Sequence, residues 1–209
     1  MGISMQDSRY SELARMIEAW PGLVSGPAAP LVADSLVLLP FLGDARRVVD
    51  VGSGGGLPGL PLKIARPELE VTLIEADQAK AAFLVQAAAR LGLRGVEVLA
   101  VRAEEAGRHA RHREAYDVAV ARAVAALPAL VELCLPLVRV GGRLLAQKTS
   151  GDEVAAATRA LEMLGGEVVG VEAAGSSARD RGVVVIVAKV RPTPEAYPRR
   201  AGVPAAKPL

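Results

Sequence analysis

Apolar and polar positions along this chain fall into two alternating rhythms. From about residue 46, short apolar runs of strand length are separated by longer stretches whose apolar residues recur at helical spacing. The strand-like runs are 47–51, 70–75, 96–101, 117–121 and 143–147. Between them, helical spacing resumes near Pro58 and stops before Pro67, and returns over 79–91, where Ala82, Phe83, Ala87 and Leu91 share a face that ends at Gly92. A polar segment with arginine and histidine fills 102–114. Further helices are predicted over 128–139, with Pro128 near the start and Pro136 as a kink, and over 152–164. After Gly165-Gly166 the rhythm changes: the runs 167–172 and 182–190 have no helix between them and predict an antiparallel hairpin. Ahead of this, Leu13, Met16, Ile17 and Trp20 predict a helix over 11–20 that Pro21-Gly22 stops, and 31–41 predicts a second short helix or turn. The expectation is an α/β fold in two parts. Residues 1–42 form an N-terminal helical extension with too little apolar surface to fold alone, packed on the main domain. Residues 43–209 form that domain, with a mostly parallel sheet closed by an antiparallel hairpin strand and followed by a basic tail.

The first strand runs into Asp50-Val51-Gly52-Ser53-Gly54-Gly55-Gly56-Leu57-Pro58-Gly59. A strand that breaks into glycines before a helix is how α/β proteins hold nucleotide-like ligands, because the backbone can approach the ligand closely. Counted from Gly52, the first glycine after the strand, the third glycine of the dinucleotide spacing G-x-G-x-x-G falls on Leu57. The pattern is D-x-G-x-G-x-G, and a carboxylate beside the glycines suits a ligand carrying an amino group and a sulfonium, which is S-adenosylmethionine (SAM). An acidic residue should end the next strand to bind ribose hydroxyls, and Glu75 stands there. A glycine turn that binds nothing is the plainer alternative; Asp50 and Glu75 in register favour SAM. Five βα units and a terminal hairpin are also the layout of the Rossmann-like, seven-stranded SAM-dependent methyltransferases.

Composition narrows the chemistry. The 209 residues are 51% hydrophobic but only 3% aromatic, so the core must be built of Ala, Val and Leu. No run reaches the ~18 apolar residues of a membrane span, and Asp7, Glu12 and Glu18 interrupt the N-terminus, which reads as a cytoplasmic chain without a signal core. Cys134 is the single cysteine, and with His109 and His112 as the only histidines no metal site is expected. Net charge is +2. Arg179, Arg181, Lys189, Arg191, Arg199, Arg200 and Lys207 face only Asp180 and Glu195 at the C-terminal end, a local +5 that leaves −3 for the rest. Such asymmetry hints at a nucleic-acid surface, and an ordinary solubilising tail is the other reading.

These residues together resemble one family. Asp50 to Leu62, with Pro58-Gly59-Leu60-Pro61 after the glycines, is similar to the signature of the RsmG (GidB) family, bacterial methyltransferases of guanine N7 in 16S ribosomal RNA. Arg102-Ala103-Glu104 resembles its Arg-x-Glu after strand 3, and Ala121-Arg122-Ala123-Val124-Ala125 its Ser-Arg-Ala-x-Ala after strand 4. Lys148 falls at its Lys-Gly, Arg181 precedes the last strand, and Tyr197-Pro198-Arg199-Arg200-Ala201-Gly202-Val203-Pro204 is similar to its ending. The departures lie in front: Leu31 stands in the histidine place of a His-x-x-Asp-Ser motif that ends here in Asp34-Ser35, and Gly182 stands where histidine often follows the arginine.

The resemblance implies a SAM-dependent methyltransferase of guanine N7, with S-adenosylhomocysteine as product and 16S ribosomal RNA or the 30S subunit as partner, acting as a monomer. Asp50, Gly52, Ser53, Gly54, Gly56, Leu57, Glu75, Ala103, Glu104 and Arg122 would form the SAM site: the glycines at the methionine part, Glu75 at the ribose, Ala103 and Glu104 at the adenine, Asp50 orienting the loop or facing the amino group. Arg122 and Lys148 would be catalytic, and Arg102, Lys148, Arg181, Arg199 and Arg200 would bind RNA, since arginine forks phosphate and stacks on bases. Tyr197 and these tail arginines could equally staple the tail to the domain. Guanine N7 has a lone pair and no hydrogen, so no general base is needed, and positioning of the two reactants carries the reaction, worth roughly 7–11 kcal/mol in favourable cases. Cys134, in a helix pattern, does not fit a nucleophile's place. A methyltransferase with another substrate, or a SAM- or RNA-binding protein without turnover, is the alternative, motivated by the altered front.

Overall fold

β1 (Arg47–Val51) lies in the interior of a seven-stranded sheet, and every one of its residues after Arg47 is buried, as in a strand covered on both faces. In the computed structural model, which describes residues 7–176, 178 and 181–209, it is flanked by β2 (Glu70–Ile74), then β3 (Val96–Leu99), on one side. On the other side lie β4 (Tyr116–Arg122), β5 (Val138–Lys148), β7 (Val183–Lys189) and finally β6 (Gly166–Ala173). The strands from β3 to β5 are parallel, and β7 is antiparallel to both β5 and β6. This is the fold expected from the sequence. Strand order reverses between β1 and β4, and the crevice outside the carboxyl ends of strands at such a switch point is where α/β sheets bind ligands.

Alternation along the strands splits the core in two. Val48, Val71, Leu73, Val120 and Leu145 enter one buried cluster, and Val49, Val51, Ile74, Ala121 and Ala146 enter the other. The first cluster lies under α3 (Gly59–Ala65) and α4 (Gln78–Arg90) and takes in the front of the chain as well: Leu13 and Ile17 of α1 (Ser8–Ala19) and Val32 of α2 (Ala29–Ser35) belong to it. Trp20, just past α1, meets Phe83 of α4 edge-on with ring centroids 5.3 Å apart. The buried face of α4 includes Ala81, Phe83, Leu84 and Ala87, whereas Ala82, expected on it, is exposed. Residues 1–6 lie outside the described residues, as do Arg179 and Asp180 of the charge count.

The second cluster lies under α5 (Ala103–Arg108), α6 (Leu127–Cys134) and α7 (Thr158–Leu164). Three expectations change here. Part of the polar segment 102–114 is the helix α5, with Glu104 and Glu105 in its first turn and Arg108 in its last, each matching the helix dipole. Helix α6 does not continue through a kink at Pro136: it ends at Cys134, because proline has no N–H to extend the helix. The helix expected over 152–164 is a 3-10 turn at Ala155–Ala157 followed by α7, capped by Gly165 in the left-handed region. Every residue of α6 is buried, Glu132 included, since the sheet covers one side and the C-terminal tail with α8 (Val203–Ala206) the other. Among the described residues no helix is long and apolar enough to cross a membrane.

Candidate active site

The glycine loop after β1 is tied to the end of β2. The amides of Gly52 and Ser53 both donate to the carbonyl of Ile74, at 2.9 and 3.0 Å. Gly54 N–H donates to Glu75 Oε2 at 2.9 Å, and Asp77 N–H to Glu75 Oε1 at 2.8 Å. Each carboxylate oxygen keeps a further lone pair, so Glu75 can still accept from a diol. Gly52 has φ +71°, and a Cβ there would lie 2.8 Å from a methyl of Val124, so the loop approaches the strand-4 turn more closely than another residue would allow.

Asp50 sits beneath the loop, fully buried. Its Oδ2 accepts the N–H of Gly59 at 2.9 Å, which satisfies one of the donors that open α3. The glycine of the Pro-Gly-x-Pro run is thereby explained: a Cβ at Gly59 would lie 2.5 Å from Leu73 and 2.8 Å from that same Oδ2. The other oxygen of Asp50 has no hydrogen-bond partner among the described residues, and burial pushes the carboxyl up to about 7 against the pull of the Gly59 hydrogen bond and the Arg122 charge. The observed role of Asp50 is therefore to hold the loop to the helix.

Gly52, Glu75, Arg102, Ala103, Glu104 and Val124 border a slot of about 120 Å³. Glu104 is 1% exposed. Its Oε1 accepts from Gly202 N–H at 2.8 Å and from Arg102 at 3.2 Å, while Oε2 has no partner among the described residues. Burial pushes this carboxyl up, but the Gly202 and Arg102 hydrogen bonds outweigh it and hold it below the usual carboxylate range. A flat ring with an exocyclic amino group meets what the slot offers, a buried acceptor without a donor between apolar walls. The close glycine approach and the acidic pair Glu75 and Glu104 fit the adenosine end of SAM.

Beside this slot lies a larger cleft of about 470 Å³, within the range of ligand cavities. Leu31, Asp34, Arg122, Ala123, Gln147 and Lys148 are on its wall. The two spaces meet at one turn: Arg122 and Ala123 face the cleft, and the next residue, Val124, faces the slot. Ala123 makes this turn with φ +55°, a conformation uncommon outside glycine and one that clusters at functional sites. Arg122 Nη1 donates to the carbonyl of Leu31 at 3.1 Å and lies 3.6 Å from Asp34 Oδ2. Lys148 Nζ donates to Ala125 O at 2.6 Å and to Glu153 at 2.8 Å, and Glu153 also accepts from Leu127 N–H.

Of the residues picked out for RNA, Arg181 and Arg200 are exposed and Arg102 is half-exposed beside Glu104. Arg199 is used differently: its N–H, Nε and Nη2 all bond the carboxylate of buried Glu132. Lys189, counted in the basic end, is buried against Leu135 O, Thr193 and Glu114, and burial lowers it to about 8. The C-terminal excess of charge is thus spent partly on internal bonds. Gln147 and Glu153 carry this site without having been singled out for it, and Asp34 stood out only as part of the altered front motif. A lone amide at the end of the apolar run Leu144-Leu145-Ala146-Gln147 was the available signal, as was a carboxylate within Leu31-Val32-Ala33-Asp34. Cys134 is fully buried and burial pushes its thiol well above the ordinary value, so it does not act as a nucleophile. No cluster of three or more His, Cys, Asp or Glu that could hold a metal occurs among the described residues.

Comparison with known proteins places these features in context. Residues 29–182 match the model of the GidB family, described as rRNA small subunit methyltransferase G. The ribosomal RNA small subunit methyltransferase G of Roseiflexus castenholzii is 52% identical over 84% of this chain and 76% of its own length. The protein of the same name from Roseiflexus sp. strain RS-1 is 46% identical over 100% of this chain and 95% of its own. Among solved structures, an O-methyltransferase from Bacillus cereus in complex with SAH has a TM-score of 0.66 at 22% identity, covering 88% of this chain and 91% of that one. A ribosomal protein L11 methylase from Lactobacillus delbrueckii has a TM-score of 0.60 at 16% identity over 82% and 83%. At such identities these two structures speak for the fold alone.

Proposed function

The chain belongs to the GidB family of small-subunit ribosomal RNA methyltransferases, and from that membership we propose that it methylates N7 of a guanine in 16S ribosomal RNA with SAM as donor. The observation that carries the reading is the turn at Arg122-Ala123-Val124, where a slot suited to adenosine and a base-sized cleft adjoin.

SAM supplies an electrophilic methyl group on a sulfonium centre. The chain's own residues would then bind and align. Glu75 accepts from the ribose hydroxyls, Glu104 Oε2 accepts from the adenine amino group, and the Gly52–Gly56 backbone lies along the methionine part. The target base enters the larger cleft as a flipped nucleotide. N7 attacks with its own lone pair, so no residue need take a proton, and neither Asp50 nor Cys134 is asked to. Arg122 and Lys148 fix the base and its phosphate, and exposed Arg181 and Arg200 draw in the RNA backbone. Leu31, where the family has histidine, takes part through its backbone carbonyl, a bond with Arg122 that any residue type would supply. This weakens the case for a different substrate. The enzyme would work as a monomer in the cytoplasm, on free 16S RNA or the 30S particle.

The test is transfer of labelled methyl from SAM into 16S RNA and 30S particles from cells lacking the modification, followed by nucleoside analysis. 7-Methylguanosine is expected. Protein that binds SAM yet labels neither substrate would overturn the reading.

A further inference from the structure

Gln147 lies on the wall of the base-sized cleft, beside Arg122 in the β4–β5 ladder, and is 3% exposed. Its Nε2 donates to Asp34 O at 2.9 Å and lies 3.4 Å from Asp34 Oδ2. Because both of these Asp34 atoms are acceptors, the amide can have only one orientation: nitrogen toward Asp34, oxygen away from it. That oxygen, Oε1, is buried and has no donor among the described residues. An unpaired buried acceptor costs about as much as a lost hydrogen bond, and in a binding cleft it marks the place of a donor from a ligand.

The order of groups around the cleft identifies the donor. From the cofactor slot come Val124, then Ala123 and Arg122 on the shared turn; Gln147 is the partner of Arg122 in the β4–β5 ladder, and Asp34, 3.6 Å from Arg122, bonds Gln147 as well. A guanine with N7 at the slot presents in sequence N7 and O6, both acceptors, and then N1–H and the 2-amino group, both donors. Cation meets O6, and acceptors meet the donors. Adenine in the same pose would set an amino group against the arginine and would offer Gln147 no donor. We infer that Gln147 is a specificity residue that accepts a hydrogen bond from the 2-amino group of the target guanine, its amide held in that orientation by the main-chain carbonyl of residue 34. This rests on the guanine-N7 reading above.

The experiment uses 16S RNA assembled by splinted ligation with guanosine or inosine at the position that the wild-type protein methylates. Inosine lacks only the 2-amino group. Wild type should favour the guanosine RNA by roughly ten- to a hundredfold in kcat/KM, the value of a hydrogen bond whose loss leaves a buried acceptor bare. Gln147→Met, close in size but without the acceptor, should bring the ratio to within about threefold while SAM affinity and melting temperature stay near wild type. Asp34→Asn keeps the main-chain acceptor that orients the amide and should leave the ratio near wild type, and Gln147→Leu, which also lacks the acceptor oxygen, decides the matter if Gln147→Met does not fold. A wild-type enzyme that treats the two RNAs alike, or a folded Gln147→Met that loses activity equally on both, overturns the inference and leaves the guanine-N7 reading standing. Absence of transfer to the guanosine RNA by wild type overturns that reading and this inference together.

Discussion

Gly54 donates its amide hydrogen to Glu75 Oε2 at 2.9 Å, so the carboxylate proposed to bind the ribose also fixes the loop proposed to bind the methionine part of SAM. Loss of Glu75 should therefore be felt twice. Glu75→Ala removes the acceptor for the ligand and releases the loop. SAM affinity is expected to fall by roughly ten- to a hundredfold per lost charge-assisted bond, with RNA affinity unchanged. Titration calorimetry with SAM and filter binding with RNA, on one preparation, check it. Equal losses for both ligands would undo the assignment.

Asp50 makes stability depend on pH in an unusual direction. Its carboxyl is raised from 3.8 to about 7 in the folded protein, chiefly by burial. Between those values the folded state holds a proton that the unfolded chain has released. The stabilisation linked to this group is complete below about pH 4 and is lost as pH rises through 7, at a slope of about 1.4 kcal/mol per pH unit within the window. Asp50→Asn retains an acceptor for Gly59 and removes the ionisation. Denaturant unfolding from pH 4 to 8 should show the difference between wild type and variant growing in the variant's favour toward pH 8. A constant difference would refute it. Asp50→Ala lacks the ionisation too, and relative to Asp50→Asn it should cost about 1–3 kcal/mol at every pH, by leaving the Gly59 N–H unpaired.

The tail arginines should separate into two kinds. Arg199 is two-pronged on Glu132, whose side chain is wholly buried, so Arg199→Ala leaves a buried carboxylate without its partner. The cost is expected at about 3–5 kcal/mol of stability, with little change in the salt dependence of RNA binding. Arg181 and Arg200 are exposed, and alanine at either should leave stability within about 0.5 kcal/mol. Removing one arginine–phosphate pairing should lower the slope of log affinity against log salt by about 1.

The separation of these two kinds shows where the sequence stopped being informative. The strands, their order of appearance and the closing antiparallel pair were legible because short apolar runs buried in a sheet leave a strong pattern. The glycine loop and Glu75 were legible because both fall where a strand of the sheet ends, one at β1 and the other at β2. Helix α5 was not, since six residues are too few to display a helical period. The partners of Arg122, Arg199 and Lys189 were not legible either, for they lie 91, 67 and 54 residues away in the chain, and a charge count cannot distinguish a guanidinium facing solvent from one closed on a buried carboxylate. Gln147 shows the same limit from the other side: its chemistry comes from Asp34, 113 residues away.

Arg122 brings the two halves of the site together, and its substitution distinguishes positioning from binding. Its guanidinium holds the Leu31 carbonyl and stands 3.6 Å from Asp34, so it fixes the front segment against the cleft as well as facing it. Arg122→Ala should therefore lower kcat more than it raises KM for RNA, because a misplaced base loses alignment even when the strand is bound. A loss of about a hundredfold in kcat/KM is expected, with SAM affinity reduced less than threefold, since Val124 rather than Arg122 faces the slot. Arg122→Lys keeps the charge but not the fork, and should recover little of the activity. Steady-state kinetics on 16S RNA with SAM titration checks this. Full recovery by lysine would reduce the role of Arg122 to a point charge, and an unchanged kcat with raised KM would make it a phosphate ligand only.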